Sequence, residues 1–199
     1  RSEVTPDREE FRTLSRRHNV IPIYTQVLAD LDTPVSALLK IGLNDTCYLL
    51  ESVEQEERVG RFSFLGNSAS LVFSSHGQKV TVCTKGRTRT TQVPDPLGAL
   101  EELMAQYHPA PVRGLPPFYG GAVGYLAYDA ARTFIDLPDN TPDDLALPEM
   151  LFLLTDTMLV FDHANRTLQI VHNAQVEGDP DRCYDAGLAA IDAVLGRLS

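Results

Sequence analysis

Along the chain, apolar positions recur every second residue in some stretches and every three to four in others. The changes of period outline the elements. Thr5-Pro6, a hydroxyl cap followed by proline, opens a helix whose first turn holds Asp7, Glu9 and Glu10 and which runs to about His18. Residues 21–24 read as extended, because proline disfavours helix at the residue before it. A second helix is predicted over Pro34–Ile41 with Thr33 as its cap. Strands follow over 47–52, 61–65, 70–75, Lys79–Thr84 and 87–93, with His76-Gly77-Gln78 as a hairpin turn. Asp95-Pro96 starts a helix that places Leu97, Leu100, Leu103, Met104 and Tyr107 on one face. Four prolines between 109 and 117 mark a loop. An aromatic and glycine stretch over 118–128 and a second proline-rich loop follow. Two apolar strands, 150–161 and 168–171, flank the turn Asp162-His163-Ala164-Asn165. A last helix from about Pro180 carries Tyr184, Leu188, Ile191, Val194, Leu195 and Leu198 on one stripe.

Strands mostly follow strands, with helices interspersed irregularly and no internal repeat. This order predicts an α+β fold, a layered α/β sandwich with mostly antiparallel sheets, rather than a doubly wound sheet. With 199 residues, 1–199 reads as a single domain. A chain of this size buries roughly 70% of its unfolded surface without disulfide or metal staples.

Composition narrows the function. The net charge of −10 argues against a grip on nucleic acid, which needs clustered Lys and Arg. The basic run Arg16-Arg17-His18 is read as complementing a helix C-terminus. Three widely spaced cysteines, Cys47, Cys83 and Cys183, with no CxxC, predict reduced thiols and a cytoplasmic location. The five histidines show no metal-ligand spacing, and no apolar run approaches the ~20 residues that span a bilayer.

Chemistry-bearing motifs are scarce. Gly120-Gly121-Ala122-Val123-Gly124 has the spacing GGxxG rather than that of a dinucleotide loop, and the strand that should precede such a loop is lacking. Its glycines are read as letting another backbone approach while Phe118, Tyr119, Tyr125 and Tyr128 fill the core. No GxSxG elbow occurs, and the carboxylate pairs Glu101-Glu102 and Asp143-Asp144 are read as solvated. Pattern alone predicts no catalytic residues and no metal ligands within this chain.

Four segments, taken in order, resemble one family. They are Pro22-Ile23-Tyr24 with Leu28 through Ala37; Leu49-Leu50-Glu51-Ser52-Val53-Glu54 with Gly60 through Gly66; Phe118 through Tyr125 with Tyr128-Asp129; and Asp156-Thr157 with Val160-Phe161-Asp162-His163. Together they resemble the N-terminal region of anthranilate synthase component I, the large chorismate-using subunit, and the likeness covers nearly the whole chain. It implies the fold of the chorismate-utilising enzymes. It also implies a lyase of tryptophan biosynthesis, making anthranilate and pyruvate from chorismate and ammonia that a glutamine amidotransferase subunit supplies. Mg²⁺ is the implied cofactor, with its ligands and the chorismate contacts in a C-terminal part absent here, so this piece alone is expected not to catalyse.

For this region the resemblance implies part of the L-tryptophan feedback pocket, with Ser52, Glu51 and Leu50 as ligand-binding residues and Arg61 as a further candidate. A serine hydroxyl both donates to a carboxylate and accepts from an ammonium, and a glutamate balances the ammonium charge. Arg61 offers a planar donor to the carboxylate. On a regular strand Glu51 and Ser52 point to opposite faces, so a plain structural role stays open for Ser52, as does a surface ion pair to Glu56 or Glu57 for Arg61. Two rival readings are the sister enzyme, aminodeoxychorismate synthase component I, and a stand-alone amino-acid-binding module.

Overall fold

A computed structural model describes residues 3–51, 60–128 and 147–199. Two compact units emerge. The first is built from three segments, Arg1–Ser68, Tyr107–Gly120 and Thr155–Ser199; the second comprises Ala69–Gln106 and Gly121–Leu154. The α+β class read from the strand order is what the structure has, with two sheets and four helices among the described residues.

The first unit centres on a six-stranded antiparallel sheet. Its strands are β1 (Val4–Thr5), β2 (Val20–Leu28), β3 (Tyr48–Glu51), β4 (Phe62–Gly66), β10 (Thr157–Asp162) and β11 (Thr167–Gln175). Their order is β1-β2-β11-β10-β4-β3. β2 and β11 pair over their full lengths, from Val20↔Gln175 to Leu28↔Thr167. Alternation sorts the side chains to two faces. One face presents Ile21, Ile23, Leu65, Leu159, Phe161, Leu168 and Ile170 to helices α1 (Arg8–Leu14), α2 (Pro34–Ile41) and α4 (Pro180–Leu198). The other presents Met158, Val160 and Val171, against which Tyr24, Phe62, Phe64, Leu115, Phe118 and Tyr119 pack.

The helices start where their caps allow. Thr33 accepts from the Ser36 N–H while the Ser36 hydroxyl accepts from the Thr33 N–H, a reciprocal box that fixes the first turn of α2. α4 buries Tyr184 and Ile191 from its predicted stripe, and Leu188, Val194, Leu195 and Leu198 pack partly buried on the same core. Tyr184 meets Phe11 edge to face and its hydroxyl donates to the Pro6 carbonyl at 3.0 Å.

Two expectations at the N-terminus change. Asp7, not Thr5, caps α1 by accepting from the Glu10 N–H, because Thr5 is taken up in β1 opposite Tyr24. The helix ends at Leu14 instead of running to His18, so Arg16-Arg17-His18 lies beyond it and the basic residue of its last turn is Arg12.

The second unit holds β5 (Ala69–His76), β6 (Lys79–Thr84), β7 (Arg87–Gln92), β8 (Gly121–Leu126), β9 (Met150–Thr155) and helix α3 (Pro96–Met104), with strand order β7-β6-β5-β9-β8. The β5–β6 hairpin closes at His76↔Lys79 around Gly77, whose φ of +52° suits a residue without Cβ. At Gly124, a Cβ would collide with the Leu151 carbonyl oxygen. That is the close backbone approach predicted for the glycine run, whereas Tyr125 and Tyr128, expected in the core, are exposed. The apolar stretch 150–161, expected as one strand, is two: β9 in this unit and β10 in the first, divided at Asp156.

Candidate functional site

Among the described residues, β3 is an edge strand paired only with β4. Leu49 faces the helix-covered core, whereas Leu50, opposite Phe64, turns to the other face and is 43% exposed. Glu51 ends the strand on the helix side, opposite Ser63. Ser52, the first residue of the predicted pocket, lies outside the described residues.

Three polar side chains converge at this end of the sheet. The Ser63 hydroxyl, buried at 3% exposure, reaches Glu51 Oε1 at 3.5 Å and His163 Nε2 at 2.7 Å. The His163 ring lies nearly parallel to Phe161, and its backbone N–H donates to the Arg61 carbonyl at 2.9 Å. The imidazole is thereby held from below and from its own main chain, with an open outer side.

Arg61 is committed to an ion pair. Its Nε and Nη2 donate to the two carboxylate oxygens of Asp162 at 3.0 and 2.7 Å, and the guanidinium lies 4.8 Å over the Phe62 ring. Asp162 also accepts from the backbone N–H groups of Ala164 and Asn165 and from the Asn165 amide. These donors, the Arg61 guanidinium foremost, hold the Asp162 carboxyl below its ordinary range. The Arg61 partner here is Asp162; Glu56 and Glu57 fall outside the described residues.

Beside this pair, still within the first unit, a groove runs between the sheet and the proline-rich strap. Phe62, Leu115, Pro116 and Pro117 wall it, and Gln26 and Gln169 lie at its polar end. Gln169 donates to Gln26 Oε1 and to the Gly114 carbonyl, and the Tyr24 hydroxyl donates to the Arg113 carbonyl, so the strap is tied to β2 and β11.

The structure thus brings Glu51 together with two residues that sequence reasoning did not single out as functional, Ser63 and His163. It leaves Leu50 and Arg61 on the groove side of the sheet. The missed pair lay inside motif segments, but the signal that joins them is strand register across about a hundred residues, which no local pattern carries.

A six-stranded antiparallel sheet covered on one side by three helices, with a second sheet built from other segments, defines a protein of the α+β class. The family model described as chorismate binding enzyme matches residues 45–193, and the chain belongs to that family. It is 33% identical over 189 residues to anthranilate synthase component 1 of Acetivibrio thermocellus, covering 95% of this chain and 38% of that protein. It is 37% identical over 204 residues to the Mycobacterium tuberculosis protein of the same name, covering 98% and 39%. The crystal structure of anthranilate synthase component I from Streptococcus pneumoniae superposes with a TM-score of 0.56 at 22% identity, over 86% of this chain and 36% of that one. The chain therefore spans under two-fifths of the length of these curated relatives.

Proposed function

We propose that this chain serves as the N-terminal portion of an anthranilate synthase component I, the enzyme that forms anthranilate and pyruvate from chorismate and glutamine-derived ammonia. The observation that carries this reading is the similarity along almost the whole chain to proteins of that name, within the chorismate binding family. In this reading the chain is scaffold and one wall of a tryptophan feedback pocket, and the remainder of the enzyme holds chorismate. In the same reading Mg²⁺ is the cofactor of the whole enzyme. Its carboxylate ligands belong to the rest of the enzyme. A glutamine amidotransferase subunit is the proposed partner, and the cytoplasm the proposed location, in keeping with three unpaired cysteines.

The feedback ligand proposed is L-tryptophan. Glu51, exposed at the end of β3, would face its ammonium, with Ser52 and Leu50 as the further proposed ligand-binding residues. Arg61, held by Asp162, would reach the ligand's carboxylate only by leaving that partner.

The test uses the full-length protein with its amidotransferase subunit, chorismate, glutamine and Mg²⁺. Anthranilate fluorescence that tryptophan suppresses, with suppression lost in Ser52→Ala, is the expected result. Formation of aminodeoxychorismate instead would move the protein to the sister enzyme. A chain that binds tryptophan with no chorismate turnover in any assembly would make it an amino-acid-binding module.

A further inference from the structure

Resting on the reading that Glu51 faces the ammonium of an amino-acid ligand, we propose that Ser63 and His163 are positioning residues that pre-set the Glu51 carboxylate. Glu51 ends an edge strand, where a long, exposed side chain samples many rotamers. A ligand that must order such a side chain loses affinity to that entropy, and a carboxylate already held in place avoids the loss. The holding group is the Ser63 hydroxyl, brought opposite Glu51 by the register of β3 on β4 and buried beneath it.

A hydroxyl has one proton and here two neighbours that could take it. If the proton goes to His163 Nε2, Glu51 has no donor from Ser63. The arrangement that holds Glu51 is therefore the chain His163 Nε2–H to Ser63 Oγ, and Ser63 O–H to Glu51 Oε1, along contacts of 2.7 and 3.5 Å. Two further features keep the imidazole in place for this role: the nearly parallel Phe161 ring and the bond from its backbone N–H to the Arg61 carbonyl.

The experiment compares two ligands on the full-length protein by calorimetry: L-tryptophan, and indole-3-propionate, which keeps the ring and carboxylate and lacks the ammonium. Ser63→Ala and His163→Phe, the latter keeping an aromatic ring against Phe161, should each weaken tryptophan by about tenfold, the effect of one lost hydrogen bond in a charge-assisted chain. Indole-3-propionate binding should stay within about twofold of the unaltered protein, since it makes no demand on the carboxylate. Ser63→Thr and His163→Gln, which restore a hydroxyl and an N–H donor, should recover most of the tryptophan affinity. Equal losses for the two ligands, or no loss for tryptophan, overturns the positioning role. An unchanged tryptophan affinity in Glu51→Gln is a different failure, because it removes the reading of Glu51 on which the role rests.

Discussion

The Arg61–Asp162 pair illustrates how one side chain's worth depends on its company. As an isolated, half-exposed ion pair it would contribute little. Asp162 is also the acceptor that closes the turn into Asn165, so removing it also releases the N–H groups of Ala164 and Asn165 and the Asn165 amide. Asp162→Ala should cost about 2 kcal/mol of unfolding free energy in urea, and Arg61→Ala clearly less. The carboxyl's depressed pKa sets the sign of its acid dependence. The contribution is present above the ordinary carboxylate range and fades as pH falls through the folded-state value. At this scale the sequence was informative about chemistry and poor about partners. Glu51 was legible as a charged residue in a motif, and so was Arg61. Their neighbours Ser63 and Asp162 come from the far strands β4 and β10, and only pairing puts them there.

At the scale of elements, β11 carries a half-buried histidine. His172 lies on the helix-side face, where its Nδ1 contacts the Thr157 hydroxyl at 2.8 Å, and burial pushes its pKa down to about 4. The unfolded chain binds that proton near pH 6.5, so between about 6.5 and 4 the unfolded state holds more protons and stability falls as pH falls. The loss over this window should reach roughly 3 kcal/mol, read from urea midpoints at pH 7.5 and 4.5, and most of it should vanish in His172→Gln. The β8–β9 contact supplies a second expectation. Gly124→Ala drives a methyl into the Leu151 carbonyl and should destabilise the protein by about 1–3 kcal/mol, seen as a lower melting temperature. Helix α2 was legible in full, since its cap, proline and last apolar position are local signals. Helix α1 was misjudged at its start because Thr5 had a competing use as a strand residue opposite Tyr24, and a tertiary pairing outranks a capping preference.

For the whole molecule, no disulfide ties the chain: Cys47, Cys83 and Cys183 are all unpaired. A reducing agent should therefore leave the melting temperature unchanged, and a drop on adding dithiothreitol would reveal a crosslink. None of the described helices is long and apolar enough to cross a membrane. The amino-acid order by itself determined the α+β class, the helix faces and the glycine close approach, because period, caps and the absence of a Cβ act over a few residues. Tertiary structure alone decided three things. It split the apolar run at Asp156 between two sheets, interleaved the two units from five chain segments, and set Ser63 and His163 beside Glu51. The reason is common to all three. A strand's pattern states which of its faces is apolar, but its hydrogen-bonding edges are alike along every strand, so the choice of partner is made by the packing of residues far apart in the chain.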